Sequence, residues 1–180
     1  FFAPGSEPFT GIVPLGGVPL DTFMGHFTGT TDTVVQRKQP LEFPNSLPGM
    51  DTVPIELVAL NLRSVNPITV TYDGGHTEQW NLAVGESPSK ASTGKMTATR
   101  STKTGGTFDS TITVYPLFTF TRPSDGETRM LDVGALPLTK QQRQQLRFKG
   151  EDIPWVRTCP FPNNVEIITL GTDKFCPSAT

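Results

Sequence analysis

Apolar and polar residues alternate most clearly over residues 107–122, TFDSTITVYPLFTFTR. The mostly apolar parity consists of Phe108, Ser110, Ile112, Val114, Pro116, Phe118 and Phe120. The other parity carries mostly threonine hydroxyl groups. This period of two, filled with β-branched and aromatic residues, predicts a β-strand with one face on a core. Because Pro116 has no amide hydrogen to donate, we expect a bulge or a sheet edge at that position.

A β-hairpin is predicted upstream of this strand. Residues 66–73 and 77–84 flank an Asp-Gly-Gly turn, and glycine adopts the positive φ of a tight hairpin turn without strain. The residues of the second strand that should face the core are Trp80, Leu82 and Val84. Residues 54–65 are apolar on both faces, which suits an inner strand of a sandwich.

The rest of the chain predicts short strands separated by turns. These strands are expected at residues 9–15, 31–39, 95–101, 128–134, 152–158 and 163–171. Residues 138–148 are the one helical candidate, a surface helix that Thr139 would cap. Roughly eight to ten strands at regular spacing predict an all-β fold, a β-sandwich, with a barrel as the alternative.

Two parts of the chain differ in their pattern. Residues 1–53 are punctuated by proline, which fixes φ and removes an amide donor, so we expect an extended Pro/Gly-rich arm with short edge strands. Residues 54–180 are the predicted β-sandwich domain with a C-terminal disulfide loop. The apolar residues of the arm that need a cover, from the protein's own core or from a neighbouring molecule, are Phe1, Phe2, Phe9, Ile12, Val13 and Leu15.

Composition excludes some classes of partner. The 180 residues are 35% hydrophobic and include 17 Gly and 17 Pro, which indicates many turns and extended segments. A formal charge of −2 and the absence of a basic stripe argue against nucleic-acid binding. The sequence contains no run of 18 apolar residues, so it predicts no membrane-spanning segment.

The two cysteines favour an extracellular location. Cys159 and Cys176 have sixteen residues between them, and we expect a disulfide that stabilises the fold by about 3 kcal/mol. The chain begins FFAPG without an initiator methionine, as a secreted protein does after its signal peptide is removed. We therefore expect a secreted or cell-surface protein.

The central third of the chain resembles a group of uncharacterised secreted bacterial proteins. The run PIELVALNLRSVNPITVTYDGGHTEQWNLAVGESPS, continued by TGKMTATRSTKTGGTFDSTITVYPLFTFTR, follows a progression of motifs similar to theirs. The resemblance covers residues 54–122 and rests on turn and core positions. It implies secretion and a β-rich fold, and the group has no activity to carry over.

Few residues in the sequence suggest a catalytic or metal-binding site. The chain contains no G-x-S-x-G motif and no EF-hand pattern, so it nominates no catalytic, cofactor-binding or metal-binding residue, and we predict that it is not an enzyme. Asp73, His76 and Glu78 surround the hairpin turn, where either a cation site or a solvated turn is compatible with the sequence. His26, flanked by aromatic residues and glycine, suits a packing or surface role.

Two functions are favoured at this point, and a third, a hydrolase, would need a pair of carboxylates that the sequence does not nominate. The first is an extracellular structural protein that self-assembles into a filament or surface layer, with the N-terminal arm adding a strand to another copy of the chain. The alternative is a secreted carbohydrate-binding β-sandwich module that stacks an extracellular polysaccharide on Trp155, which follows Pro154 in a short strand.

Overall fold

The fold is all-β. The structure is a computed structural model that describes residues 1–23, 26–157 and 173–174. In chain order, the strands of these residues are β1 (Leu15–Gly17), β2 (Asp21–Phe23), β3 (His26–Gly29), β4 (Thr33–Arg37), β5 (Gly49–Leu60), β6 (Leu62–Ser64), β7 (Ile68–Thr71), β8 (Thr77–Glu86), β9 (Ser92–Arg100), β10 (Gly105–Thr113), β11 (Pro116–Thr121), β12 (Thr128–Asp132), β13 (Arg147–Val156) and β14 (Asp173–Lys174). A 3-10 turn (Val133–Ala135) and one helix, α1 (Lys140–Gln145), complete the described elements.

These strands form two curled sheets and one small hairpin. The first sheet has the order β1-β6-β8-β11-β12, and β7 also pairs with β8. The second sheet has the order β14-β13-β10-β9-β5-β4. All pairs within the sheets are antiparallel except β13 with β14, and β2 pairs only with β3. The all-β prediction is confirmed, although several of the described strands are only two to four residues long.

Each sheet carries its own apolar cluster. The first cluster consists of buried Phe2, Ile68, Val70 and Trp80, with Val13, Tyr72 and Phe120 packed against it. The second consists of buried Val53, Ile55 and Met96, with Leu41, Phe108 and Ile112 packed against it. The sheets approach each other where β5 lies against β8. The two clusters divide the core between the two sheets.

The prediction of one strand over residues 107–122 is wrong in one respect, because the chain changes sheet in its middle. Residues up to Thr113 belong to β10 in the second sheet, and residues from Pro116 belong to β11 in the first. The Val114 N–H donates to the Leu146 carbonyl oxygen at 2.9 Å, and the Tyr115 carbonyl oxygen accepts from the Ser87 N–H at 2.9 Å. These bonds hold the crossover segment between the sheets, as Pro116 begins the new strand.

The same kind of crossing divides residues 54–65. This segment is split between β5 of the second sheet and β6 of the first, with Asn61 between them. The Asn61 N–H donates to the Asp32 carbonyl oxygen at 2.9 Å, which satisfies the backbone at the crossing. The inner position predicted for this segment holds for β5, which lies between β9 and β4.

The hairpin and the helix follow the sequence prediction. β7 and β8 pair around Gly74 and Gly75, whose φ values are +84° and +82°. The three residues expected to face the core are buried, namely Trp80, Leu82 and Val84. Thr139 caps α1, accepting from the Gln142 N–H while the Gln142 side chain accepts from the Thr139 N–H. The helix ends at Gln145, before the predicted end, because β13 begins at Arg147.

The segment of residues 1–53 contributes strands to both sheets. β1 pairs with β6 in the first sheet, and β4 pairs with β5 in the second. The predicted edge strand at residues 9–15 is displaced, since β1 begins only at Leu15. The strand predicted at residues 163–171 and the disulfide predicted between Cys159 and Cys176 lie outside the described residues.

A close approach between β9 and β10 generates a stability prediction. A Cβ added at Gly94 would lie 2.0 Å from the Thr111 carbonyl oxygen, whereas at Gly85 of β8 its nearest contact would be an ordinary 3.6 Å. We expect Gly94→Ala to lower the free energy of unfolding by about 1–3 kcal/mol, because the backbone must move apart. Gly85→Ala, the matched control, should change it much less. Thermal unfolding followed by circular dichroism checks this, and equal melting temperatures for the two variants would contradict it.

Candidate functional site

The N-terminus inserts an aromatic side chain into the first sheet. Phe2 is 7% exposed, and its ring centroid lies 5.0 Å from that of Trp80 and 5.1 Å from that of Phe120. Phe1 packs edge-on against both Phe2 and Phe120 and stays 59% exposed. Edge-to-face geometry of this kind is favourable for aromatic pairs. Phe2 therefore acts as a plug in a hydrophobic groove of the sheet.

Backbone bonds hold the residues that follow the plug. The Asp73 N–H donates to the Gly5 carbonyl oxygen at 2.9 Å, and the Glu7 N–H donates to the Thr71 carbonyl oxygen at 2.8 Å. Between them, Ser6 forms an isolated antiparallel bridge with Tyr72. Residues 1–7 thus attach to the end of the β7–β8 hairpin by side-chain packing and a few backbone bonds. We call residues 1–7 the anchor segment, and the surface that receives them the acceptor groove.

A polar network borders the acceptor groove. Glu78 Oε1 accepts from Arg122 Nη1 at 2.6 Å, while Glu78 Oε2 accepts from the Tyr72 hydroxyl at 2.6 Å and from Trp80 Nε1 at 3.3 Å. The Arg122 guanidinium carbon lies 5.2 Å from the centroid of the Trp80 ring. The polar edge of the fully buried indole is therefore satisfied by a carboxylate that is itself paired with a cation.

The network continues to the anchor segment itself. Arg122 also binds Asp125 through two nitrogens, with Nη2 to Oδ2 at 2.6 Å and Nε to Oδ1 at 3.0 Å, and contacts Glu127. Glu127 Oε1 accepts from Arg129 Nη2 at 2.5 Å, and Arg129 Nη1 donates to the Phe1 carbonyl oxygen at 3.2 Å. One chain of charge-assisted bonds thereby connects β8, β11 and β12 to the first residue.

This network shifts several pKa values. The hydrogen bond from Arg122 lowers the pKa of Asp125 to about 2, and this bond together with that to Glu78 raises the pKa of the Arg122 guanidinium. The Tyr72 hydroxyl and then Arg122 lower the pKa of Glu78. Partial burial, followed by the bond to Glu78, raises the pKa of Tyr72. The charged forms of both carboxylates are therefore favoured in the folded protein.

An exposed linker follows the anchor segment. Residues 8–12 include Phe9, which is 46% exposed, and Ile12, which is 96% exposed. The chain then returns to the sheet, where Val13 packs against the first cluster and the Pro14 carbonyl oxygen accepts from the Val65 N–H at 3.0 Å. β1 follows at the end of the first sheet, so one of its edges has no partner strand in the part of the chain that the structure describes.

The structure divides the six apolar arm residues into two groups. Phe2 and Val13 pack into the protein's own core. The others remain at least 40% exposed, and they are Phe1, Phe9, Ile12 and Leu15. Val65 is 64% exposed and follows Ser64, the residue paired with Leu15, so Leu15 and Val65 lie on opposite faces of the sheet. Exposed apolar side chains are therefore found along the linker and on the edge strand.

Trp155, the proposed sugar platform, is not available for stacking. Its side chain is only 4% exposed, and its ring stacks on Phe43 with centroids 6.0 Å apart and an interplanar angle of 9°. The indole nitrogen donates to the Thr107 carbonyl oxygen at 3.0 Å. The sequence prediction of exposure is wrong, because Phe43 covers the ring, and the local sequence around Pro154 gave no sign of this contact.

The hairpin turn does not assemble a cation site. His76 Nε2 lies 3.9 Å from Glu78 Oε1, but the Glu78 oxygens already accept from Arg122, Tyr72 and Trp80. Within the described ranges, no three His, Cys, Asp or Glu side chains are grouped as metal ligands. The side chain of His26 lies outside what the structure describes.

Serines after β8 hold the loop that crosses between the sheets. Asp132 accepts from the hydroxyls of Ser87 and Ser89, both at 2.5 Å, and these bonds lower its pKa. Ser92, fully buried, donates to Glu86 Oε2 at 2.9 Å and accepts from the Tyr115 N–H at 2.8 Å. Burial raises the pKa of Glu86. Ser87, Ser89 and Ser92 thus connect strands of both sheets, which assigns this serine cluster a structural role.

Comparisons with known proteins add no relative. No family model, no curated protein and no solved structure matches the chain. The resemblance to secreted bacterial proteins therefore stays a prediction. Among the described residues, no helix is long and apolar enough to cross a membrane.

Sequence reasoning identified the anchor residues but missed what receives them. Glu78, Arg122 and Arg129 are separated by up to 51 positions in the chain, and nothing in their spacing brings them together. The local signal in the sequence was the short separation of Arg122 and Asp125. Cross-strand pairing of β8 with β11 places Glu78 near Arg122.

The plug generates a prediction on stability. Phe2→Ala should lower the free energy of unfolding by about 3–5 kcal/mol, because it leaves a cavity against Trp80 and Phe120. Phe1→Ala, the neighbouring control at an exposed position, should lower it by less than about 1 kcal/mol. Urea unfolding followed by tryptophan fluorescence measures both. A similar loss for the two variants would show that the N-terminus is not specifically docked.

The low pKa of Asp125 generates a prediction on pH. A folded-state pKa of about 2, against 3.8 for a free side chain, means that this carboxylate stabilises the fold above about pH 4. That contribution is lost as the pH falls from about 4 towards 2, because the folded state then takes up the proton less readily than the unfolded state. Asp125→Asn should therefore show a smaller loss of stability between pH 4 and pH 2 than the wild type. Melting temperatures across this range measure the slope, and identical slopes would contradict the assignment.

Proposed function

We propose that this protein is an extracellular structural subunit that self-assembles into a filament or surface layer by exchanging its N-terminal anchor segment between copies. The observation that carries the proposal is the anchor segment itself, docked in a groove of its own sheet at the end of an exposed linker. Contacts that a chain makes with itself can be made equally by an identical segment of a second copy.

The contacts of the anchor suit exchange. They consist of the Phe2 plug, the bonds of Gly5 and Glu7 to the hairpin, and one bond from Arg129. None of these requires covalent continuity with the rest of the same chain. The free energy of docking is therefore nearly the same in the closed monomer and in an exchanged pair, and concentration decides between them.

The linker supports this proposal by its length and its exposed residues. Five residues span at most about 17 Å when extended, so exchange requires the two copies to lie side by side. Phe9 and Ile12 project from the linker into solvent, and Leu15 is exposed on β1, the edge strand. Isolated exposed apolar side chains are common, but several of them beside an unpaired edge strand favour an interface between chains.

The kind of assembly that forms depends on whether two copies exchange anchor segments reciprocally. If two copies exchange anchors reciprocally, they form a closed dimer, whereas one-way exchange from copy to copy forms an open filament. The filament or layer is the form proposed here.

The cellular location and the non-enzymatic role of the protein are proposals that follow from the sequence. Secretion to the cell surface is supported by the Gly/Pro-rich composition and by the cysteine pair. We propose a structural rather than an enzymatic role, in which copies of the chain are the principal partners. The alternative function, a carbohydrate-binding module, depended on stacking by Trp155, and Trp155 is buried.

The experiment compares two double variants of the full chain. Phe9→Ser with Ile12→Ser should raise the apparent dissociation constant of the assembly at least about tenfold, because burial of each side chain contributes about 1.5–3 kcal/mol. Met50→Ser with Met130→Ser removes side chains that are 63% and 66% exposed on other surfaces, and should leave assembly unchanged. Light scattering over a concentration series and negative-stain microscopy measure the assembly.

A competing peptide isolates the acceptor groove. An excess of a peptide with the sequence of residues 1–12 should shorten the assemblies by occupying grooves, and the same peptide with Phe2→Ala should not. A protein that remains monomeric at every concentration would refute the proposal. So would assemblies that are unaffected by both the linker variant and the peptide.

A further inference from the structure

The second sheet carries an open groove on the face away from its apolar cluster. The groove has a volume of about 930 Å³ and is lined by β9, β10, β13 and the end of α1. None of its fifteen lining residues is aromatic or aliphatic. Pockets for apolar ligands are lined mainly by hydrophobic side chains, so this groove suits a highly polar ligand.

Strand register places cations in adjacent rows across the groove. Thr111 of β10 pairs with Lys95 of β9 on one side and with Lys149 of β13 on the other. In the next row, Thr113 pairs with Arg147. With neighbouring strands about 4.8 Å apart, the two lysine backbones are separated by about 10 Å, which lets both ammonium groups reach one ligand lying over the threonine.

These cations are not neutralised by neighbouring side chains. Among the described residues, Lys95, Arg147 and Lys149 make no ion pair and no side-chain hydrogen bond. Arg143 at the end of α1 donates through Nη1 to the Leu138 carbonyl oxygen at 2.6 Å, which leaves its other donors for a ligand. The lining of the groove holds four cations and three carboxylates, so the positive charge is confined to one end of it.

The opposite end of the groove is acidic. Asp109 lies at a β-bulge, where its Oδ1 accepts from the Asp152 N–H at 2.9 Å. Asp152 has a φ of +52° and, with Glu151, projects from the bulged part of β13. The groove therefore presents carboxylate acceptors at one end and, at the other, threonine hydroxyls flanked by cations.

We infer that this groove binds an anionic glycan, of the class that contains uronic acid residues. A sugar acid carries hydroxyl donors for the acidic end and a carboxylate for Lys95, Lys149 and Arg147, so charge complementarity favours it over a neutral glycan. A second copy of the chain fits less well, since a concave surface cannot pack against the same concave surface. This inference is independent of the assembly proposed above, because the groove and the acceptor groove belong to different sheets.

The test uses the full chain and a matched pair of ligands. Oligogalacturonate should bind at least about tenfold more tightly than the same oligomer with every carboxylate methyl-esterified, because esterification removes the charge and keeps the backbone. Lys95→Gln with Lys149→Gln should weaken the affinity for oligogalacturonate at least about tenfold. Lys103→Gln with Lys140→Gln makes the same change of net charge at exposed positions outside the groove, and should change affinity less than about twofold.

The remaining outcomes overturn the inference. Equal binding of the acid and its ester, or no binding of either, would exclude a site for uronic acids. An equal loss in both double variants would show only general attraction to the protein. The other possible occupant of the groove is a second copy of the chain. Sedimentation of the Lys95→Gln with Lys149→Gln variant in the absence of glycan tests this, because dissociation of an assembly would assign the groove to contacts between copies.

Discussion

The chain must satisfy its backbone hydrogen bonds at each point where it passes from one sheet to the other. Short crossings of one to five residues join strands of the two sheets at residue 61, at residues 87–91 and at residues 114–115. At the last of these crossings the Tyr115 N–H donates to Ser92 Oγ, and the Tyr115 carbonyl oxygen accepts from the Ser87 N–H. An unpaired polar group at a buried crossing would destabilise the fold. The serine cluster beside β8 therefore satisfies backbone groups at two of these crossings, at residues 87–91 and at residues 114–115.

Division of the core into two clusters separates the two surfaces that we have assigned. The cluster around Trp80 supports the acceptor groove and the network of Glu78 and Arg122. The cluster around Val53 and Met96 lies behind the polar face of β9 and β10. Each surface is built on the outside of a separate, well-packed layer. A ligand at one surface and a neighbouring copy at the other can be accommodated together.

The proposed assembly and the proposed glycan binding are compatible in one protein. A filament of such subunits would repeat the polar groove along its length and present many weak sites to one anionic polymer. Linked sites of this kind raise overall affinity without new contacts, provided that their spacing fits the polymer. The absence of aromatic residues from the groove lining means that binding would depend on charge and hydrogen bonds, and hence on ionic strength.

Local sequence determined the elements that depend only on neighbouring residues. The glycines of the β7–β8 turn, the parity of Trp80, Leu82 and Val84, and the helix cap at Thr139 were all predicted and confirmed, because each is set within a few positions of the chain. The prediction that the N-terminal phenylalanines need a cover was likewise a local inference, and Phe2 is buried.

Tertiary structure decided everything that depends on which strands become neighbours. A period of two continues unbroken from residue 107 to residue 122, yet the strand divides at residues 114–115, because periodicity records alternating faces and not the sheet to which a face belongs. Trp155 was buried by Phe43, more than a hundred positions away. The row of Lys95, Thr111 and Lys149 and the pair of Glu78 and Arg122 arise from register across strands. Distances between such residues are set by hydrogen-bonded pairing, which the order of residues along the chain does not encode in any local pattern.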